Sequence, residues 1–234
     1  GITDYKETDV REAGSALLKS MLKNHPQETL ASRLTESLPI HFSIFIDYDE
    51  LPVALKTIQA SVYYLLNINP KDSVILDLYL KIITQKKNRD KVAAVFKAYT
   101  KLLNRGQELA KDAAYLPKFL ECCLHALSRQ LPCQTSKCVD EEERFNFDPE
   151  LMSYVYSIIC ASFKVNAQII PAEQFLGNIT ALLGKVGSME SLEILGTMGD
   201  YVMAGGTVTP EILQYALTQI SEIDYSKAPD LSMA

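Results

Sequence analysis

Apolar residues recur close to every 3.6 positions along almost the whole chain, and no stretch of any length alternates as a half-buried strand does. Each apolar run is short and stops at a proline, a glycine or a small polar cluster. This pattern dictates helix after helix with short connections and leaves little for a sheet. Helices are expected at 10–23, 26–38, 49–66, 72–86, 89–105, 112–129, 149–164, 171–186, 188–204 and 209–223. Pro26, Pro117 and Pro210 fall in first turns, where a missing N–H costs nothing. The stretch IHFSIFIDY at 40–48 is rich in β-branched and aromatic residues, and strand, helix and buried connector all stay open for it.

One junction recurs. In YVMAGGTVTPEILQYAL (201–217) an apolar run ends at paired glycines, and Pro210-Glu211 opens the next run. Around Gly106 the same offsets return: Phe96, Tyr99, Gly106 and Asp112 stand 99 positions before Leu195, Met198, Gly205 and Glu211. Glycine reaches positive φ cheaply and so ends helices, Thr209 can cap, and Pro-Glu suits a first turn. A one-off ligand loop would not require such a recurrence; a repeat junction would. The expected fold class is all-α: a right-handed α-solenoid of antiparallel helix pairs with repeats of about 40 residues. Its expected organisation is an N-terminal helical region at 1–48, a repeat domain at 49–223 with a polar insertion at 130–148, and a tail at 224–234.

Composition narrows the function. No apolar run approaches the ~20 residues of a membrane span. Five cysteines are too few and too odd for a disulfide framework, which points to a reducing compartment. No signal or transit peptide is recognisable, although Gly1 is not an initiator residue and a mature or trimmed chain is expected. The net charge of -6 disfavours unselective binding to a polyanion. Between Lys81 and Lys118, however, ten Lys or Arg face three acids. A local basic surface on an acidic body follows.

VILDLYLKIITQKKNRDKVAAVFKAY (74–99) and MAGGTVTPEILQYAL (203–217) resemble the pentatricopeptide repeat in its helix–turn–helix pattern and its repeat ending, with tetratricopeptide-like repeats the other helical option. The resemblance spans 50–222. It implies single-stranded RNA binding on the concave face, usually in mitochondria, with one residue of the first helix and one at the repeat end reading a base. Carried over, the reading pairs are Asp77 with Asp112 and Gly177 with Glu211. The family favours Asn, Ser or Thr at the first of these places, and an Asp pair is a poor cradle for a base beside phosphates. Lys81, Lys86, Lys87 and Arg89, on or just after the same helix, are the phosphate candidates; solvation of a helix end is the plainer account of that run. The alternative to RNA is an acidic solenoid adaptor that docks a protein, in the cytoplasm or nucleus.

Chemistry-bearing constellations are sparse. Cys122 and His125 share a helical face, and with Cys133 and Cys138 they would make a Cys3His zinc set, although the spacing fits no standard zinc pattern. Buried cysteines plus two loop thiols is the simpler reading. No phosphate loop, dinucleotide fingerprint or metalloprotease motif occurs, and no base is placed to activate a cysteine. The chain is expected to be non-enzymatic, with no cofactor and no small-molecule substrate.

Overall fold

The computed structural model describes residues 8–25, 36–85, 88–127, 149–165, 169, 173, 175–177, 179 and 188–222. The expected helix over 26–38 falls largely outside them, as do the insertion at 130–148, most of the run at 171–186 and the tail at 224–234. The fold is all-α, and no strand occurs among the described residues. In chain order the helices are α1 (Thr8–Asn24), α2 (Leu38–Ile46), α3 (Leu51–Asn67), α4 (Ser73–Gln85), α5 (Arg89–Asn104), the single turn α6 (Glu108–Lys111), α7 (Leu116–Leu127), α8 (Pro149–Val165), α9 (Ser188–Met203) and α10 (Pro210–Glu222). IHFSIFIDY is therefore helical for most of its length. Proline opens five of these helices, at position 39, 52, 117, 149 or 210, always within the first two residues.

The chain divides into two compact units: α1 to α6 with the first part of α7, and the end of α7 with α8 to α10. In the first unit α1, α3 and α5 lie side by side, α2 lies against α4, and α2/α3 and α4/α5 are packed hairpins. Polar pairs stitch α1 to α3. Ser15 Oγ and Thr57 Oγ1 are 3.2 Å apart, Lys19 donates to Gln59 at 2.6 Å, and Asn67 donates to the Leu22 carbonyl at 2.8 Å. Arg11, nearly buried, donates its Nε to Glu50 Oε2 at 3.1 Å and its Nη2 to Oε1, and its guanidinium lies 5.3 Å from the Tyr48 ring centroid. The guanidinium holds the Glu50 carboxyl below the ordinary carboxylate range. This link therefore stabilises the fold above that range and is lost as pH falls through the lowered folded value.

The core of this unit is aromatic. Phe42 meets Tyr64 edge-on at 5.4 Å, while Tyr79, Phe96, Tyr99 and Phe119 are fully buried. Their hydroxyls find partners, as burial demands: Tyr64 donates to Asp72 at 2.8 Å, Tyr79 shares a 2.7 Å bond with Ser61, and Tyr99 donates to the Ala110 carbonyl at 2.5 Å. In the second unit α9 packs on α8, and Phe163, Phe175 and Tyr201 form a buried triangle with centroids 5.1 to 5.2 Å apart.

The recurrent glycine junction is real as far as its cap. Gly106 and Gly205 have φ of 73° and 95°. Gly106 N–H bonds the Leu103 carbonyl and Gln107 N–H the Leu102 carbonyl; Gly205 and Gly206 do the same to Val202 and Tyr201. Both are Schellman caps, which satisfy the orphan carbonyls at the ends of α5 and α9. Beyond the cap the two junctions part. After Gly205 a four-residue link without regular structure (206–209) follows, Thr209 Oγ1 accepts from Ile212 N–H at 3.4 Å, and α10 begins with Glu211 in its first turn. After Gly106 the turn α6 intervenes, held by buried Ala110, and α7 starts at Leu116 rather than near 112. Asp112 sits in a bend whose Oδ1 accepts from Ala114 N–H at 2.7 Å. Asp112 and Glu211 are thus not equivalent places. The start-to-start spacing is also uneven, shorter from α2 to α4 than from α4 to α7.

Candidate functional site

The outward side of α2 and α4 forms one surface. Helical spacing puts Ile40, Ile44 and Asp47 along α2, and Val74, Asp77 and Lys81 along α4. All are exposed, Ile40 by 62% and Ile44 by 47%. A 2.7 Å ion pair from Lys81 Nζ to Asp47 Oδ2 joins the two stripes edge to edge. Beside it Ser43, Ile44, Asp47, Tyr48, Asp49 and Glu50 line a shallow hollow. The described charges facing outward here are Asp47, Asp49 and Asp77 against Lys81, so the surface is apolar and acidic.

The residues expected to read a base are occupied in this structure. Tyr115, just before α7, donates to Asp77 Oδ1 at 3.0 Å. Burial first, then the Asp77 hydrogen bond and the Asp112 charge, push the Tyr115 hydroxyl up. Asp77 and Asp112 do therefore flank one side chain, yet their neighbour is a tyrosine of the fold and Asp112 is spent on its own turn. Gly177 and Glu211 both lie in the second unit, each exposed, with Glu211 at the start of α10.

Several bases of the basic segment bind groups of the fold as well. Lys81 binds Asp47, Lys91 donates to the Tyr48 carbonyl at 2.6 Å, and Lys101 donates to the Tyr63 hydroxyl at 2.6 Å with its ammonium 4.1 Å from the ring centroid. That Lys101 hydrogen bond, with smaller effects from the Lys101, Lys23 and Lys19 charges, lowers the Tyr63 hydroxyl against a smaller opposing effect of burial. Lys118 lies 5.8 Å over the Tyr115 ring. Arg89 is exposed at the start of α5, whose cap is Asn88, accepting from Lys91 N–H at 3.1 Å. Lys86 and Lys87 lie outside the described residues. The described bases of this segment are distributed over α4, α5, α6, α7 and the loops between them.

Cys122 and His125 stand one turn apart on α7, both half-buried, whereas Cys133 and Cys138 lie outside the described residues. Among the described residues no group of three or more His, Cys, Asp or Glu is placed to hold a metal. The Cys160 thiol on α8 is pushed up to about 12, first by burial and then by its hydrogen bond to Asp200. It is protonated at neutral pH and a poor nucleophile. No described helix is long and apolar enough to cross a membrane.

Sequence reasoning missed the α2/α4 surface because Asp47 and Lys81 are 34 positions apart and nothing local links them. The signal available was Ile40, Ile44 and Asp47 at helical spacing, legible only once 40–48 is taken as helix. A second apolar stripe lies in the other unit, where Leu213, Leu217 and Ile220 stand exposed along α10. Compared with known proteins, the chain matches no family model, no curated protein and no solved structure.

Proposed function

We propose that this chain is a non-enzymatic helical scaffold, an α-solenoid of antiparallel helix pairs, that docks a basic amphipathic segment of a partner protein across α2 and α4. One observation carries the reading: Ile40, Ile44 and Val74 stand exposed among Asp47, Asp49 and Asp77, with Lys81 already paired to Asp47. Apolar side chains at helical spacing suit the apolar face of a partner helix, and the exposed Asp49 and Asp77 carboxylates, with no ion pair among the described residues, suit Lys or Arg on its flank. The side-by-side rows α1/α3/α5 and α2/α4 support the solenoid part of the reading, since stacked hairpins produce such rows. A polyanion would meet net negative charge on this surface, which is why single-stranded RNA ranks second. The mitochondrial location belongs with that RNA reading.

The test is fluorescence anisotropy with a labelled amphipathic peptide carrying Leu at i and i+4 and Lys beside them. The full chain is expected to bind it, and Ile44→Glu to weaken binding at least ~10-fold, as loss of a central apolar anchor does. Asp47→Lys should weaken it too and steepen no salt dependence. Both positions are exposed, so circular dichroism should be unchanged. Equal affinity in Ile44→Glu and the parent protein would remove this reading.

A further inference from the structure

The ends of α3 and α5, together with the loops that follow them, border an open cleft of about 630 Å³, within the ~300–1,000 Å³ span of small-ligand sites. Leu65, Leu66, Pro70 and Leu109 give it an apolar lining. Lys71, Arg105 and Lys111 stand around that lining, with Glu108 and Asp112 on the same rim. The two acids are only partly available. Glu108 lies 4.0 Å from Lys111, and Asp112 accepts from Ala114 N–H. Among the described residues neither the Lys71 ammonium nor the Arg105 guanidinium has an ion-pair partner.

The walls are pre-set. Gln107 is buried and its side chain cross-links the two loops: Nε2 donates to the Pro70 carbonyl at 2.5 Å, and Oε1 accepts from Ala110 N–H at 2.7 Å. Gly106 supplies the positive φ that turns the chain at the rim, and a Cβ there would stand 3.9 Å from Lys111 Nζ. The dipole at the end of α5 alone favours a cation such as Arg105. It does not explain why Lys71, from another loop, and Lys111 face the same apolar lining.

We propose that this cleft binds a small amphipathic anion, one acidic group on a short apolar body, with Arg105 and Lys71 meeting the acid and Leu65, Leu66 and Leu109 the body. This site is separate from the α2/α4 surface and independent of its role. An acyl carboxylate and the free C-terminal carboxylate of a peptide ending in Leu share this chemistry.

Calorimetry on the full chain separates the possibilities. The probes are decanoate, decanol, decyltrimethylammonium, and a short peptide ending in Leu with a free or an amidated C-terminus. At least one carboxylate is expected to bind ~10-fold or more tightly than its uncharged counterpart, the tighter of the two naming the source. The cationic probe should not bind. Lys71→Glu with Arg105→Glu should abolish the preference, while a melting temperature equal to the parent's shows that the fold is intact. Decanol binding as well as decanoate, no probe binding at all, or a double variant that is folded and keeps its preference would each overturn the proposal.

Discussion

Replacing Phe119 with alanine is expected to cost about 3–5 kcal/mol, the usual loss for a fully buried aromatic ring, and to lower the melting temperature by roughly 10 °C. Phe119 is completely buried, and its ring lies on that of Tyr99 with centroids 3.6 Å apart and planes 10° from parallel. Face-to-face stacking is not what ring electrostatics prefer. The pair is held by burial between α5 and the start of α7, so truncation opens a cavity that Tyr99 alone cannot fill. Tyr99→Phe separates the ring from its hydroxyl. It keeps the stack, leaves the Ala110 carbonyl without the 2.5 Å bond it accepts, and should cost about 1–2 kcal/mol. Thermal and urea melts followed by circular dichroism measure both. A loss below ~1 kcal/mol for Phe119→Ala would show that the stacked pair is not a buried part of the core.

The second large effect falls on Gly206. Its φ is not in the left-handed region, so backbone freedom does not explain it. A Cβ there would run into the Tyr201 ring. That ring is buried against Phe163 and Phe175 and has nowhere to retreat. Gly206→Ala should cost about 1–3 kcal/mol through overpacking, and Gly206→Val more. Gly205→Ala, by contrast, meets open space and should cost only about 1 kcal/mol, for its positive φ. The order Gly206→Val, Gly206→Ala, Gly205→Ala in urea midpoints checks the assignment. A Gly205 variant less stable than both would invert it.

These two glycines show how far the sequence could be read. The pair looked like one helix stop, with both residues reaching positive φ. Only Gly205 does so, because a Schellman cap needs one left-handed residue, and Gly206 is small for the sake of Tyr201. The helices themselves were legible, since apolar spacing and opening prolines are local signals. So was the likeness of Gly106 to Gly205, and the structure gives both the same cap hydrogen bonds.

What followed Gly106 was not legible. The turn α6 depends on Tyr99 and Gln107 reaching Ala110 and Pro70, contacts that no pattern around 106–112 encodes. The same limit applies to the candidate surface. Ten basic residues between 81 and 118 read as a patch, but Lys81, Lys91 and Lys101 each find a partner 34 or more positions away. Side-chain charge is visible in a sequence; the distant group that a charged side chain binds is not.

Protein docking on α2 and α4 is tested most directly by a paired titration of the full chain at about 0.15 M salt, where exposed charges are screened beyond ~8 Å. One ligand is the Leu/Lys amphipathic peptide and the other a single-stranded oligouridylate with the same label. Binding of the peptide, lost in Ile44→Glu, with no measurable affinity for the RNA, is the expected result. Salt-sensitive binding of the RNA, unaffected by Ile44→Glu and weakened by Arg89→Glu, would contradict it.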